Sequence, residues 1–255
     1  MFNPAFRFFE VLRNEGLLAA YKRSLNYLFH GIWVRRKIFH GKSSAETFES
    51  IYETNYWSSE ESVSGVGSEI FQTKNIREHL PIIFQKFQCN TIFDGPCGDF
   101  SWMRTVLKGS SIKYIGGDIV EKLIKKNSEL FGSETIQFRE VDICKSRLPD
   151  ADLMICRDCL FHLSYSDIRN FLLNFSKSNI PYLLVTTHIQ TVSGFRNRDI
   201  QSGDFRMLDL FSYPFNLKRH VLYRFDDYQL PEPRREMIII TRQTIAEALA
   251  LWSST

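Results

Sequence analysis

Five residues of this chain have the types and spacing for chemistry at one edge of a sheet: the acids Asp94, Asp118 and Asp142, and the histidines His162 and His188. Each acid closes a short apolar run, TIFD at 91–94, KYIGGD at 113–118 and QFREVD at 137–142. After Asp94 come Gly95, Pro96, Cys97 and Gly98, then an aromatic-rich helix start. That is a strand, a tight turn and a helix N-terminus, and glycine there lets the backbone approach a ligand closely. Asp118 stands about twenty residues further on, the distance at which a carboxylate can accept both hydroxyls of a ribose. Pro96 stiffens the turn and removes an N–H, which disfavours a phosphate-cradling role. The histidines follow two more apolar runs, 152–156 and 182–187. A neutral imidazole at such a place can take a hydroxyl proton. His188 is favoured because it directly follows a strand end and a polar loop begins one residue later. His162, in DCLFHLS, is also suited to bracing the turn between sheet and helix.

Around these residues strands and helices alternate. Helical spacing is read over 69–87, 100–107, Glu121–Phe131, Tyr165–Ser176 and 244–252, with strands at 91–94, 113–119, 137–143, 152–156, 182–187, 221–225 and 237–241. Such alternation predicts a parallel, doubly wound α/β sheet. The irregular stretch 189–219 carries Arg196, Asn197, Arg198, Asp199 and Arg206. Loops of that length are usually functional, and guanidinium forks suit carboxylates or phosphates, so these five are the expected substrate-binding residues. The competing reading is a set of Arg–Asp pairs that stiffen the loop.

At 255 residues and 44% apolar content, one domain with a full core is expected, preceded by a short extension. The net charge of +3 is too small to imply a nucleic-acid partner. Residues 1–42 hold eight Lys/Arg against two Glu. Aromatic and basic residues alternate through 2–39 at helical spacing, which predicts two amphipathic helices packed on the domain or a second subunit, or in peripheral contact with a membrane surface. The expected organisation is a basic helical extension at 1–44 and a catalytic domain at 45–255. No uninterrupted apolar stretch of a cleavable leader opens the chain. Five scattered cysteines suit buried thiols in a reducing cytoplasm, at the inner face of the membrane if the extension binds there. Cys156, Cys159 and His162 form C-x-x-C-x-x-H, but no fourth ligand is near, so no metal is expected.

With DGPCGDF, GGDI, VDI and CRDCLFHL in place, the chain resembles the class I methyltransferases that use S-adenosylmethionine. The resemblance covers 56 to about 217, and its flanking segments are similar to a bacterial group associated with glycan or small-metabolite modification. It implies a Rossmann-like seven-stranded sheet whose last strand runs antiparallel. It also implies a cofactor site made of Trp57 on a flap, Asp94, Gly95, Pro96, Cys97 and Gly98 in the first turn, Asp118 and Ile119, Asp142 and Ile143, and Arg157 and Asp158. The expected reaction is O-methylation of a sugar, glycan or other small polar acceptor. Two other classes fit less well. A nucleic-acid methyltransferase would show an N-P-P-Y motif or a more basic face; the other class is a non-catalytic or NAD(P)-binding protein on the same fold, and Pro96 argues against the dinucleotide.

Overall fold

The computed structural model describes residue 35 and residues 37–191, 194–218, 220–230 and 232–252. The expected amphipathic helices over 2–39, and the membrane contact assigned to 1–42, lie almost entirely outside the described residues. Among the described residues no helix is long and apolar enough to cross a membrane.

Seven strands form one sheet: β1 Thr91–Asp94, β2 Lys113–Asp118, β3 Ile136–Glu140, β4 Leu153–Cys156, β5 Tyr182–His188, β6 Tyr223–Asp226 and β7 Arg235–Thr241. Their order is β3-β2-β1-β4-β5-β7-β6. The first five are parallel, and β7 runs antiparallel to both β5 and β6. The mostly parallel, seven-stranded Rossmann-like sheet expected from the sequence is therefore present. The chain reverses its winding between β1 and β4, and in open α/β sheets a ligand crevice lies at the carboxyl ends of strands at such a point.

Helices α1 Ser44–Thr54, α2 Lys74–Lys86, α3 Met103–Leu107, α4 Glu121–Phe131, α5 Tyr165–Ser176 and α6 Arg242–Trp252 complete the described chain. The central strands are apolar throughout because both faces are covered. Alternate residues divide between two cores. Phe93, Met154, Cys156, Leu183, Val185, Ile238 and Ile240 face α5 and α6, whereas Ile92, Leu153, Ile155, Leu184, Met237 and Ile239 face α2, α3 and α4. Each such side chain contributes about 1.5–3 kcal/mol when fully buried.

Most boundaries differ from the sequence reading by a few residues, and three have a plain local reason. β3 stops at Glu140 because the Asp142 carboxylate accepts the Cys144 amide at 2.9 Å, an Asx turn that leaves the ladder. The first crossover helix begins at Met103 because Phe100 lies in the left-handed region at φ 60°. Helix α1 begins at Ser44 because Ser43 and Glu46 form a reciprocal capping box ahead of it.

Helix α1 is laid across the carboxyl ends of the strands. Lys122 of α4 pairs with Glu49 at 3.0 Å and with Glu53, and Ser44 Oγ donates to Asp167 of α5 at 3.2 Å. Ile51 packs with Ile38, Phe39, Phe48, Tyr56 and Trp57 in a small third cluster.

Candidate functional site

A cavity opens at the carboxyl ends of β1–β4. Its floor is Asp94, Pro96, Cys97 and Gly98 after β1, Asp118 and Ile119 after β2, Asp142 and Ile143 after β3, and Arg157, Asp158 and His162 after β4. Its roof comes from Phe48, Ile51 and Tyr52 of α1 and from the flap residues Trp57, Val63, Ser64 and Ser68. Of the twelve residues assigned to a cofactor, every one but Gly95 lines this cavity. Gly95 has a packing role, since a Cβ there would come within 2.8 Å of the Phe93 ring and 3.1 Å of Ile143.

The first turn is held from several directions. The Gly98 amide donates to Asp118 Oδ2 at 3.2 Å, and Val120 N–H donates to Oδ1 at 3.1 Å. Asn127 of α4, fully buried, donates to the Gly98 carbonyl at 2.8 Å. Gly98 lies at φ 55°, and a Cβ there would sit 2.3 Å from Ser64 Oγ, so glycine is what lets the flap close on the turn. Asp99 completes the closure: its Oδ2 accepts Ser62 Oγ at 2.8 Å and Val63 N–H at 3.1 Å, and its own amide donates to Ser64 Oγ at 3.0 Å. Asn127, Asp99, the serines and the α1 roof were not identified from sequence. Only the unusual position of a small amide on an amphipathic helix could have flagged Asn127.

Burial raises the Asp94 carboxyl to about 7, partly opposed by the hydrogen bond it accepts from Tyr114 Oη at 2.9 Å. Burial also raises Asp118, against the pull of its amide donors. Asp142 lines the cavity while bonded to the Cys144 amide and paired with Lys145 at 3.1 Å.

Beyond β4 lies a buried quartet of charges. Arg157 Nε pairs with Asp227 at 2.7 Å, its Nη1 donates to the Gly67 carbonyl of the flap at 2.8 Å, and Arg235 pairs with Asp158 at 3.1 Å. Burial disfavours the Asp158 carboxylate, but Arg157 and Arg235 outweigh it and hold its pKa below the ordinary value. Asp158 is itself in the left-handed region at φ 49°, a strained placement of the kind that persists where the surroundings fix it. Arg157 Nη2 is buried without a hydrogen-bond partner among the described residues.

The two histidines sit in different surroundings. His188 is 3% exposed, does not line the cavity, and has Nδ1 accepting the Leu208 amide at 3.2 Å. A neutral imidazole with Nδ1 as acceptor carries its proton on Nε2, so neither nitrogen has a lone pair free for a substrate proton. Burial lowers its pKa to about 4. His162 lines the cavity beside Trp57, with ring centroids 5.0 Å apart. Its Nδ1 lies 2.8 Å from the Asp204 carbonyl, which can only accept, so the proton is on Nδ1 and the lone pair on Nε2. Burial lowers its pKa, keeping the ring neutral.

None of the five loop residues assigned to substrate lines the cavity. Asn197 is buried and spans the loop, donating to the Asp209 carbonyl at 2.8 Å and accepting the Asp209 amide at 2.9 Å. Asp199 accepts the amides of Tyr165 and Ile200 at 2.7 and 2.8 Å. Arg206 is buried against backbone carbonyls, Arg198 reaches the Phe205 carbonyl at 3.5 Å, and Arg196 lies 5.2 Å over the Tyr213 ring. The contacts of Asn197, Asp199 and Arg206 hold the loop to itself and to the turn after β4. Cys156 and Cys159 are free thiols in the core.

No protein-family model and no curated protein sequence matches this chain. Solved structures do. A S-adenosylmethionine-dependent methyltransferase of Leishmania major aligns with a TM-score of 0.57 at 12% identity, over 80% of this chain and 88% of that one. The 1,6-didemethyltoxoflavin-N1-methyltransferase of Burkholderia thailandensis, solved with its acceptor and S-adenosylhomocysteine, aligns with a TM-score of 0.56 at 12% identity, over 77% and 86%. Human N-acetylserotonin methyltransferase in complex with S-adenosylmethionine aligns with a TM-score of 0.53 at 16% identity, over 78% of this chain and 59% of its own length. With the strand order and the cavity at its switch point, these likenesses show that the chain has the fold of the class I S-adenosylmethionine-dependent methyltransferases.

Proposed function

We propose that this chain transfers the methyl group of S-adenosylmethionine to a hydroxyl of a small polar acceptor, such as a sugar, with His162 as the proton acceptor. The observation that carries this reading is the meeting, in one cavity, of the ribose-type acid Asp118, the guanidinium-bearing Arg157 and a His162 whose lone pair is on Nε2.

The cofactor fits the residues present. Asp118 would accept the ribose hydroxyls, Ile119, Asp142 and Ile143 would flank the adenine, and the charge of Arg157 at the cavity wall would favour the methionine carboxylate. The turn has no N–H at Pro96, which S-adenosylmethionine, lacking a pyrophosphate, does not require. When bound, the cofactor supplies a methyl group already activated by a positively charged sulfur. The protein's share is then alignment and removal of one proton. Roof and floor hold the reacting groups in line, a contribution that can reach several orders of magnitude. Trp57, its ring tilted 32° to that of His162, gives the cavity an aromatic wall against which a sugar or planar ring can lie. His162 is neutral under ordinary conditions, as a base must be.

Calorimetry with S-adenosylmethionine, S-adenosylhomocysteine and NAD tests the cofactor. Binding of the first two and not the third is expected, and binding of NAD alone would sink the reading. Release of S-adenosylhomocysteine in the presence of a panel of monosaccharides, uronic acids and phenols then finds the acceptor class.

A further inference from the structure

The turn that carries His162 is gripped by one distant segment. In the 3-10 turn Leu160–His162 and the residue after it, all four backbone carbonyls accept hydrogen bonds from residues 203–206. Arg206 Nη2 donates to Leu160 O at 3.5 Å, Arg206 N–H to Phe161 O at 3.2 Å, Gly203 N–H to His162 O at 2.7 Å, and Arg206 Nη1 to Leu163 O at 2.6 Å. The fifth link is the bond from His162 Nδ1 to the Asp204 carbonyl at 2.8 Å. Arg206 is 1% exposed, and no carboxylate lies within ion-pair distance of it among the described residues. Its charge is met by the two carbonyls, by the Tyr165 ring 5.4 Å from its central carbon and, at longer range, by Asp199, while its Nε has no hydrogen-bond partner among the described residues. A buried guanidinium without a carboxylate in contact is costly, and an apolar side chain would fill the same space at less cost. What only the planar fork supplies is two donors that reach both ends of a four-residue turn.

We propose that Arg206 is a positioning residue: by clamping the 160–163 turn it fixes His162 in the tautomer that presents a bare Nε2 to the cavity. This inference rests on the reading of His162 as the proton acceptor, but its test does not need turnover. Asp158 and Asp204 raise the basicity of His162, and Arg206 opposes them, with His188 also facing the Asp158 carboxylate. Loss of Arg206 therefore removes a positive neighbour, which favours the charged ring, and loosens the bond to the Asp204 carbonyl, which disfavours it, so the tautomer and not the titration midpoint reports the clamp.

The experiment is long-range nitrogen–carbon NMR on the full chain labelled at histidine, saturated with S-adenosylhomocysteine and titrated with pH, with His162→Gln used to assign the signal. In the wild type His162 should be protonated on Nδ1 alone, and His188 on Nε2 alone. In Arg206→Met both tautomers of His162 should be populated. Arg206→Lys, which keeps the charge and loses the fork, should not restore the single tautomer. A wild-type His162 protonated on Nε2, or an unchanged tautomer in Arg206→Met, would overturn the proposal. Should Arg206→Met fail to fold, the wild-type spectrum and Arg206→Lys still decide it. Full turnover in His162→Gln with these spectra as expected would instead reject His162 as the base and leave the clamp standing.

Discussion

The carboxyl edge of the sheet has two halves built on different principles. Around β1, β2 and β3 the cavity acids stand at strand ends and bond to the neighbouring strand and turns, Tyr114 for Asp94, Gly98 and Val120 for Asp118. Around β4 and β5 the side chains depend on the irregular segments that follow β5 and β6: Asp204 and Arg206 for His162, Leu208 for His188, Asp227 for Arg157. In the first half a residue's place at the cavity follows from its address in a strand. In the second what a side chain can offer follows from which lone pair or donor an irregular segment has already taken.

The largest effect expected from this difference separates the two histidines. His162→Asn should lower the single-turnover rate by about 10²- to 10⁴-fold, the range for a lost general base, with S-adenosylmethionine affinity kept. His188→Asn should leave that rate within about tenfold, because its imidazole reaches the backbone and not the cavity. Equal losses in both variants would break the comparison.

Next is a signature in stability. Burial holds folded His188 at about 4, whereas in the unfolded chain it titrates near 6.5. The unfolded state therefore binds the proton first. The stability tied to neutral His188 is complete above pH ~6.5 and is lost as pH falls from there toward 4, by roughly 3 kcal/mol at most. Asp94, raised by burial to about 7, works in the opposite sense between 7 and its unfolded value, since there the folded state binds the proton. The readout is thus the difference between wild type and His188→Asn in urea denaturation across pH 4–7, and the variant should lose the fall that wild type owes to His188. Parallel pH profiles would show His188 to be solvated.

In the strand-end half, Asp118→Ala should weaken S-adenosylmethionine by about 1.5–3 kcal/mol, the scale of hydrogen bonds to a charged group. Unchanged affinity by calorimetry, in a folded variant, would remove Asp118 from the site. The smallest effect is expected at Arg35, whose half-exposed guanidinium pairs with Asp204. Arg35→Ala should cost less than about 1 kcal/mol in thermal unfolding, as exposed ion pairs do. A larger loss would mean that Arg35 braces the clamp behind His162.

The same contrast explains what could be read from the sequence. Asp94, Gly98, Asp118 and Asp142 announce themselves because a short apolar run, an acid and a small residue are local signals, and the strand order follows from their alternation with helices. The tautomer of His162 has no local signal. It depends on a carbonyl 42 residues away, and that of His188 on an amide 20 residues away. The loop arginines point the same lesson: composition shows that guanidiniums are present, but only the path of the chain shows that Arg206 spends its fork on Leu160 and Leu163. The α1 roof was hidden for another reason. Phe48, Ile51 and Tyr52 have the spacing of any half-buried helix, and nothing in that spacing says that the buried side faces a cavity rather than a core.

The latch between flap and floor also keeps time. The amide of Val63 is bonded to the Asp99 carboxylate and the amide of Asp99 to Ser64, so each is shielded from solvent exchange only while the flap is down. Hydrogen–deuterium exchange at these two amides therefore counts openings of the flap, independently of any reaction. Because Arg157 ties the Gly67 carbonyl of the same flap to the charged quartet, a ligand that engages Arg157 from the cavity should lengthen the interval between openings, and the two amides should slow together.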